Sequence, residues 1–170
     1  MIWVDQLKES LPEYAKDIKL NLDAVINRSY FNPEYASALA LASAVSTGNQ
    51  KLINSISSGI SDEVEKNAAM AAGTLMAQNN VWYPYLDMIN DDNVKGLPAQ
   101  LRMNVIGNHG GTTKVKFESY ALAASIVGKC HFCVKAHYET LKQEGYKAEE
   151  LRDIGRIASV INAISKIIFI

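Results

Sequence analysis

The chain has 170 residues, 48% hydrophobic and 21% charged, with a formal net charge of −1. That length suits one domain, spanning 1–170, with a real core. The charge balance excludes the basic footprint of a nucleic-acid or anionic-membrane binder, and no apolar run reaches the roughly 18 residues of a membrane span. The first ten residues carry acids where a signal peptide would have its apolar stretch, so the expected location is cytoplasmic.

The elements read as helices throughout. Trp3 to Glu9 is a short amphipathic helix. Pro12 sits in the first turn of the next, where Tyr14, Ile18, Leu22, Val25 and Ile26 mark an apolar face up to Asn27. Asn32-Pro33 is a cap followed by a first-turn proline, opening an Ala- and Leu-rich helix to Ser46 that Thr47-Gly48-Asn49 stops. A short helix covers Asn49 to Ser58. Ser61 is the expected cap of the following one, which runs to about Asn80 and breaks there. Trp82 to Met88 then forms a separate helix with Pro84 in its first turn, and Pro98 to Ile106 a further short one. Gly107 to Gly111 is the most flexible stretch. Thr113 caps a helix over Lys114 to Val127, another follows Cys130 and ends at Gly145, and the last runs from Ala148 to about Ile167. No segment alternates as a strand does, so the fold class is all-α. The aromatic set Trp82, Tyr83, Tyr85 and the tail Ile167-Ile168-Phe169-Ile170 read either as core or as a subunit interface. A shift of 52 residues aligns Ala69-Met70-Ala71-Ala72 with Ala121-Leu122-Ala123-Ala124, a faint internal echo.

Both cysteines of the chain fall in one Cys-x-x-Cys, Cys130 and Cys133. In a reducing compartment such a pair reads as redox or metal-binding. Gly128 ends the preceding helix, which places Cys130 at a helix N-terminus, where free N–H groups and the macrodipole favour a thiolate. Cys130, Cys133 and His137 then share one helix face at i, i+3 and i+7. Glu118 comes from the preceding helix. Alone it reads as a solvated acid. Its neighbours Phe117, Tyr120, Ala121 and Leu122 favour burial, and a buried carboxylate wants a partner. The set amounts to a dithiol, a base and a group that orients the base. Tyr120 and Trp82 are expected to line the site, and His109, in its Gly-rich loop, to be structural or solvated.

Three other chemistries fit parts of this pattern. A structural zinc site would use the cysteines with His137 and His131 or His109, but the second ligand pair usual for such sites is missing. A thioredoxin-type oxidoreductase needs a βαβ setting that the sequence does not offer. A redox-sensing or adaptor protein with no useful turnover of its own uses the same dithiol.

The sequence resembles alkylhydroperoxidase D of the carboxymuconolactone-decarboxylase-like superfamily. The likeness rests on Leu11 to Leu22, Asn79-Asn80-Val81, Leu101 to Asn104 and Phe117-Glu118, together with the Cys-x-x-Cys and His137. It covers nearly the whole chain. A superfamily lactone decarboxylase, which has no need of two cysteines, fits less well. The resemblance implies a compact helical subunit assembled as a homotrimer. It implies that Cys133 reacts with peroxide through a sulfenic acid, that Cys130 resolves it by closing a Cys130–Cys133 disulfide, and that His137 backed by Glu118 relays the proton. It implies no bound cofactor. Lipoyl groups on a 2-oxo-acid dehydrogenase component act as reducing co-substrate, and an alkyl hydroperoxide reductase C type peroxiredoxin is the partner it reduces. One position departs from the family pattern. A histidine is expected directly before the second cysteine, yet this chain has Phe132 there and His131 one place earlier. One residue is about 100° around a helix, so His131 does not simply substitute and stays a secondary candidate.

Overall fold

The computed structural model describes residues 1–168, and every regular element among them is helical. In chain order these are α1 (Ile2–Ser10), α2 (Lys16–Asn27), α3 (Pro33–Thr47), α4 (Gln50–Ser57), α5 (Glu63–Ile89), α6 (Asp92–Lys95), α7 (Val105–Asn108), α8 (Lys114–Gly128), α9 (His131–Gln143) and α10 (Ala148–Ser165). Single 3-10 turns lie at Glu13–Ala15 and His109–Gly111.

The predicted starts and stops of α3, α4 and α8 are realised by side chains. Asn32 accepts a hydrogen bond from the Tyr35 N–H at 2.9 Å, with Pro33 in the first turn. Asn49 accepts from the Leu52 N–H, and Thr113 from the Lys116 N–H. Each satisfies one of the free donors at a helix start. Gly48 closes α3 in the left-handed region with φ 73°.

The core lies between α3, α5, α8 and α10. Residues 36–44 of α3 and 119–125 of α8 are buried without interruption, so both helices are surrounded. Alanines and serines at these positions let the backbones approach closely. At the closest point, a Cβ on Gly73 of α5 would lie 2.8 Å from the Val45 Cβ and 2.9 Å from the Ala42 carbonyl oxygen. Leucines and isoleucines fill the wider gaps, among them Leu22, Leu39, Ile56 and Ile157, each buried side chain contributing about 2 kcal/mol.

Three expectations change. Asp62, not Ser61, caps α5, accepting from the Val64 and Glu65 N–H groups, while the Ser61 hydroxyl donates to Glu34. The aspartate reaches the second and third helical donors and brings a negative charge to the positive end. No break occurs near Asn80. α5 continues to Ile89 with Pro84 inside it, because Asn79 and Asn80 spend their side chains on neighbouring segments and not on turning their own backbone. The helix expected over Pro98 to Ile106 shrinks to α7, since residues 98–103 are irregular and Gln100 sits at φ 53°. Within the glycine-rich stretch, Gly107 and Asn108 are exposed, while Gly110, at φ 61°, lies so close to α5 that a Cβ would come 2.8 Å from the Ala68 Cα.

The internal echo does not extend into structure, because α5 runs straight through Gln78, the position that matches Cys130. Tyr85 is exposed, Trp82 and Tyr83 are half-buried, and Ile168 is buried. Phe169 and Ile170 lie outside the described residues.

Candidate active site

The corner between α8 and α9 builds the site. The Lys129 N–H donates to the Ile126 carbonyl and the Cys130 N–H to the Ser125 carbonyl, a Schellman closure. Lys129, not Gly128, takes the left-handed conformation, at φ 56°. Gly128 serves another purpose. A Cβ there would lie 2.0 Å from Asn80 Nδ2, so the glycine admits the Asn80 side chain, which donates to the Ala124 carbonyl at 3.2 Å. The corner is thereby fastened to α5.

Cys130 is the N-cap of α9, and its Sγ accepts the Cys133 N–H at 3.2 Å. The two cysteines form a disulfide, with Cα atoms 5.3 Å apart, inside the usual range. Cys133 Sγ lies 3.8 Å from the Asn79 carbonyl oxygen of α5. One turn further along α9, His137 places Nδ1 2.7 Å from Glu118 Oε2 of α8 and Nε2 3.2 Å from Met76 Sδ of α5. Cys133 thus meets residue 79 and His137 meets residue 76, so α9 and α5 run antiparallel here, with Tyr83 stacked on Phe132 at 4.6 Å continuing the register. Asn79 is itself buried and directs Nδ2 at Met103 Sδ, 3.6 Å away.

The sulfurs are enclosed. Cys130 is 0% and Cys133 3% exposed, while His131 and Phe132 between them are exposed. Those two residues, with Lys129, line a pocket of about 460 Å³ together with Tyr83, Leu86 and Met88 and the charged Asp87 and Lys95.

The predicted residues therefore divide. Cys130, Cys133, His137 and Glu118 come together through the shared face of α9 and the facing edge of α8. His131 stands apart, on the pocket wall, and makes no hydrogen bond to the His137–Glu118 pair. Tyr120 does not line the site. Its hydroxyl donates to Glu65 in a separate polar cluster with Lys116 and Thr112, each 2.7 Å from the Glu65 carboxylate. Burial alone would raise the Glu65 pKa, but the hydrogen bonds from Lys116, Tyr120 and Thr112 outweigh it and hold the carboxyl below its usual range. Trp82 packs on Tyr85, and the neighbouring Tyr83 takes the place expected of it beside the pocket. His109 packs against the Phe117 ring, centroids 6.1 Å apart. The sequence reading missed Met76 and Tyr83. A methionine on an apolar helix face carries no signal that separates it from core.

Comparison with known proteins follows the same lines. The carboxymuconolactone decarboxylase family profile matches residues 93–168. Alkyl hydroperoxide reductase AhpD of Rhodospirillum centenum is 38% identical over 168 residues, which is 97% of this chain and 90% of that protein. The AhpD protein of Coxiella burnetii is 37% identical over 166 residues, 94% of this chain and 93% of its own. That of Rhodococcus erythropolis is 38% identical over 169 residues, 96% and 92% respectively. The chain belongs to the AhpD family. The region matched by the wider carboxymuconolactone decarboxylase profile holds Glu118, Cys130, Cys133 and His137, whereas Met76, Asn79 and Tyr83 precede it on α5. The site of this AhpD family member is thus completed by a helix outside that profile. Among the described residues no helix is long and apolar enough to cross a membrane.

Proposed function

We propose that this protein is a thiol peroxidase that reduces alkyl hydroperoxides and is recycled by dihydrolipoyl groups. The observation that carries the reading is the Cys130–Cys133 disulfide at the start of α9, with the His137–Glu118 pair one turn along the same face. In the reduced protein, His137 takes the Cys133 thiol proton and Glu118 stabilises the imidazolium. The Cys133 thiolate attacks the peroxide O–O bond, releasing the alcohol and leaving a sulfenic acid. Cys130 condenses with it, expelling water and closing the disulfide. A dihydrolipoyl dithiol then restores both thiols by exchange.

The apolar pocket beside Cys130 suits an alkyl chain or the hydrocarbon arm of a lipoyl group. The name alkyl hydroperoxide reductase, carried by relatives of this chain, supports the peroxide chemistry. An alkyl hydroperoxide reductase C type peroxiredoxin is the proposed partner. Lipoylated 2-oxo-acid dehydrogenase is the proposed source of electrons, the cytoplasm the proposed compartment, and the homotrimer the proposed assembly. Val81, Tyr85 and Met88, spaced at i, i+4 and i+7 on α5, are exposed on one helix face, which supports the last point. Sedimentation analysis finding a monomer would remove it.

The deciding assay supplies cumene hydroperoxide, NADH, dihydrolipoamide dehydrogenase and lipoamide, with a parallel reaction containing a peroxiredoxin. Turnover with lipoamide alone is the expected result. Turnover only with the peroxiredoxin present would assign an electron-transfer adaptor instead, and silence in both would reject the lipoyl link.

A further inference from the structure

The contact between His137 Nε2 and Met76 Sδ bears on where the proton sits in the disulfide form. Glu118 occupies the Nδ1 side of the ring at 2.7 Å. On the other side, 3.2 Å from Nε2, stands a thioether, which has lone pairs and no hydrogen to give. A bare Nε2 would face one lone pair with another. A protonated Nε2 has an acceptor in place. Two proton arrangements satisfy both contacts: an imidazolium beside the Glu118 carboxylate, or an Nε2–H imidazole accepting at Nδ1 from a protonated Glu118. Both put a hydrogen on Nε2. Met76 itself is only 1% exposed. One turn along α5, the Asn79 carbonyl oxygen lies 3.8 Å from Cys133 Sγ, so the acid and the sulfur both lie against one helix.

We infer that Met76 is a positioning residue that keeps a proton on His137 Nε2 in the oxidised protein, holding the histidine ready as the acid for disulfide reduction. The inference rests on the dithiol exchange proposed above. A thiolate of the incoming dithiol, its proton released to solvent, attacks Cys130 Sγ. The S–S bond breaks, and Cys133 Sγ leaves with the electron pair and takes the Nε2 proton. The second thiol of the reductant then loses its proton to solvent, attacks the mixed disulfide and expels Cys130 as a thiolate, which is protonated from solvent. The reductant is oxidised by two electrons to its cyclic disulfide and the protein gains two thiols. His137, now neutral at Nε2, is the base that the next peroxide cycle requires.

The test uses the full-length oxidised protein labelled with 15N, in which three histidines give separable imidazole signals. The expected result is a protonated-type Nε2 for His137, lost in Met76→Leu and restored in Met76→Gln, whose side-chain oxygen can accept. In stopped-flow reduction by dihydrolipoamide, Met76→Leu slows the bond-breaking step about fivefold to tenfold without changing half-saturation, and Met76→Gln recovers it. A bare Nε2 in the parent protein overturns the inference. So does an unchanged Nε2 signal in Met76→Leu, whatever the rate, since Met76 would then only fill space. Thermal melts identify a variant that fails to fold, and the parent spectrum still decides in that case. A protein that dihydrolipoamide does not reduce contradicts the proposed function alone, because the spectra need no reductant and dithiothreitol can replace it in the kinetics.

Discussion

Cys130 has two tasks that ordinarily fall to different residues. Its sulfur accepts the Cys133 N–H as a helix cap and is bonded to the Cys133 sulfur. On reduction the cap persists as a thiol or, better, as a thiolate facing the positive helix end. Cys133 stands further along α9, at the turn that leads to His137. Removing either sulfur should therefore fail in different ways. Cys133→Ser is expected to lose peroxide turnover by at least about 1000-fold. Cys130→Ser should consume about one equivalent of peroxide per subunit and stop, a burst readable by loss of hydroperoxide. Glu118→Gln keeps the shape of the His137 contact and removes its charge, so turnover should fall about 100-fold while the helical CD spectrum stays unchanged. Phe132, where the family pattern has a histidine, stacks on Tyr83 and closes the pocket wall, an apolar use of the position.

At the scale of elements, the site depends on the α8–α9 corner holding its place on α5. Two adjacent residues there answer to different forces. Lys129 accepts a left-handed backbone that costs a side-chain-bearing residue roughly 1 kcal/mol. Lys129→Gly should raise stability by up to about 1 kcal/mol, read from urea midpoints, less the added freedom of glycine in the unfolded chain. Gly128→Ala should do the reverse, lowering stability by roughly 1–3 kcal/mol, because its methyl group meets the Asn80 amide. Adding Asn80→Ala should return part of that loss. Equal costs with and without Asn80 would show that the close approach is not the cause.

Across the whole molecule, one buried charge ties the ends of the chain together. Asp153 of α10 accepts the Tyr30 N–H at 2.9 Å and the Ser29 hydroxyl at 3.3 Å, and pairs with Arg156 at 2.8 Å and Arg152 at 3.1 Å. It fixes the α2–α3 turn, and so α3, against the C-terminal helix. Burial would raise its pKa, but the Tyr30 N–H and the two guanidinium groups prevail and hold it below the ordinary carboxylate value. The folded protein thus prefers the ionised form. Its contribution is fully present above the unfolded pKa near 3.9 and is lost as pH falls through the lower folded value. Asp153→Asn should cost about 2 kcal/mol at neutral pH, a figure discounted for two half-exposed arginines. The gap between variant and parent should narrow in urea titrations below about pH 4. A gap independent of pH would mean that packing, not charge, holds the turn.

The sequence alone determined the helical class, most helix ends and the shared face of Cys130, Cys133 and His137, while Glu118 joined them through the family resemblance. These follow from local rules: caps such as Asn32, Asn49 and Thr113 act within one turn, and a spacing of three and seven residues sets a helix face wherever the helix is packed. The tertiary structure alone decided what those residues face. α5 passes through Pro84 unbroken because its neighbours hold Asn79 and Asn80, a long-range effect that outweighs the local signal. Met76 reaches His137 across 61 residues of chain, and the Tyr120 hydroxyl goes to Glu65, not to the sulfurs. Partners so distant in sequence are chosen by how the helices pack, and helix packing is set by the fit of whole surfaces, which no short motif encodes.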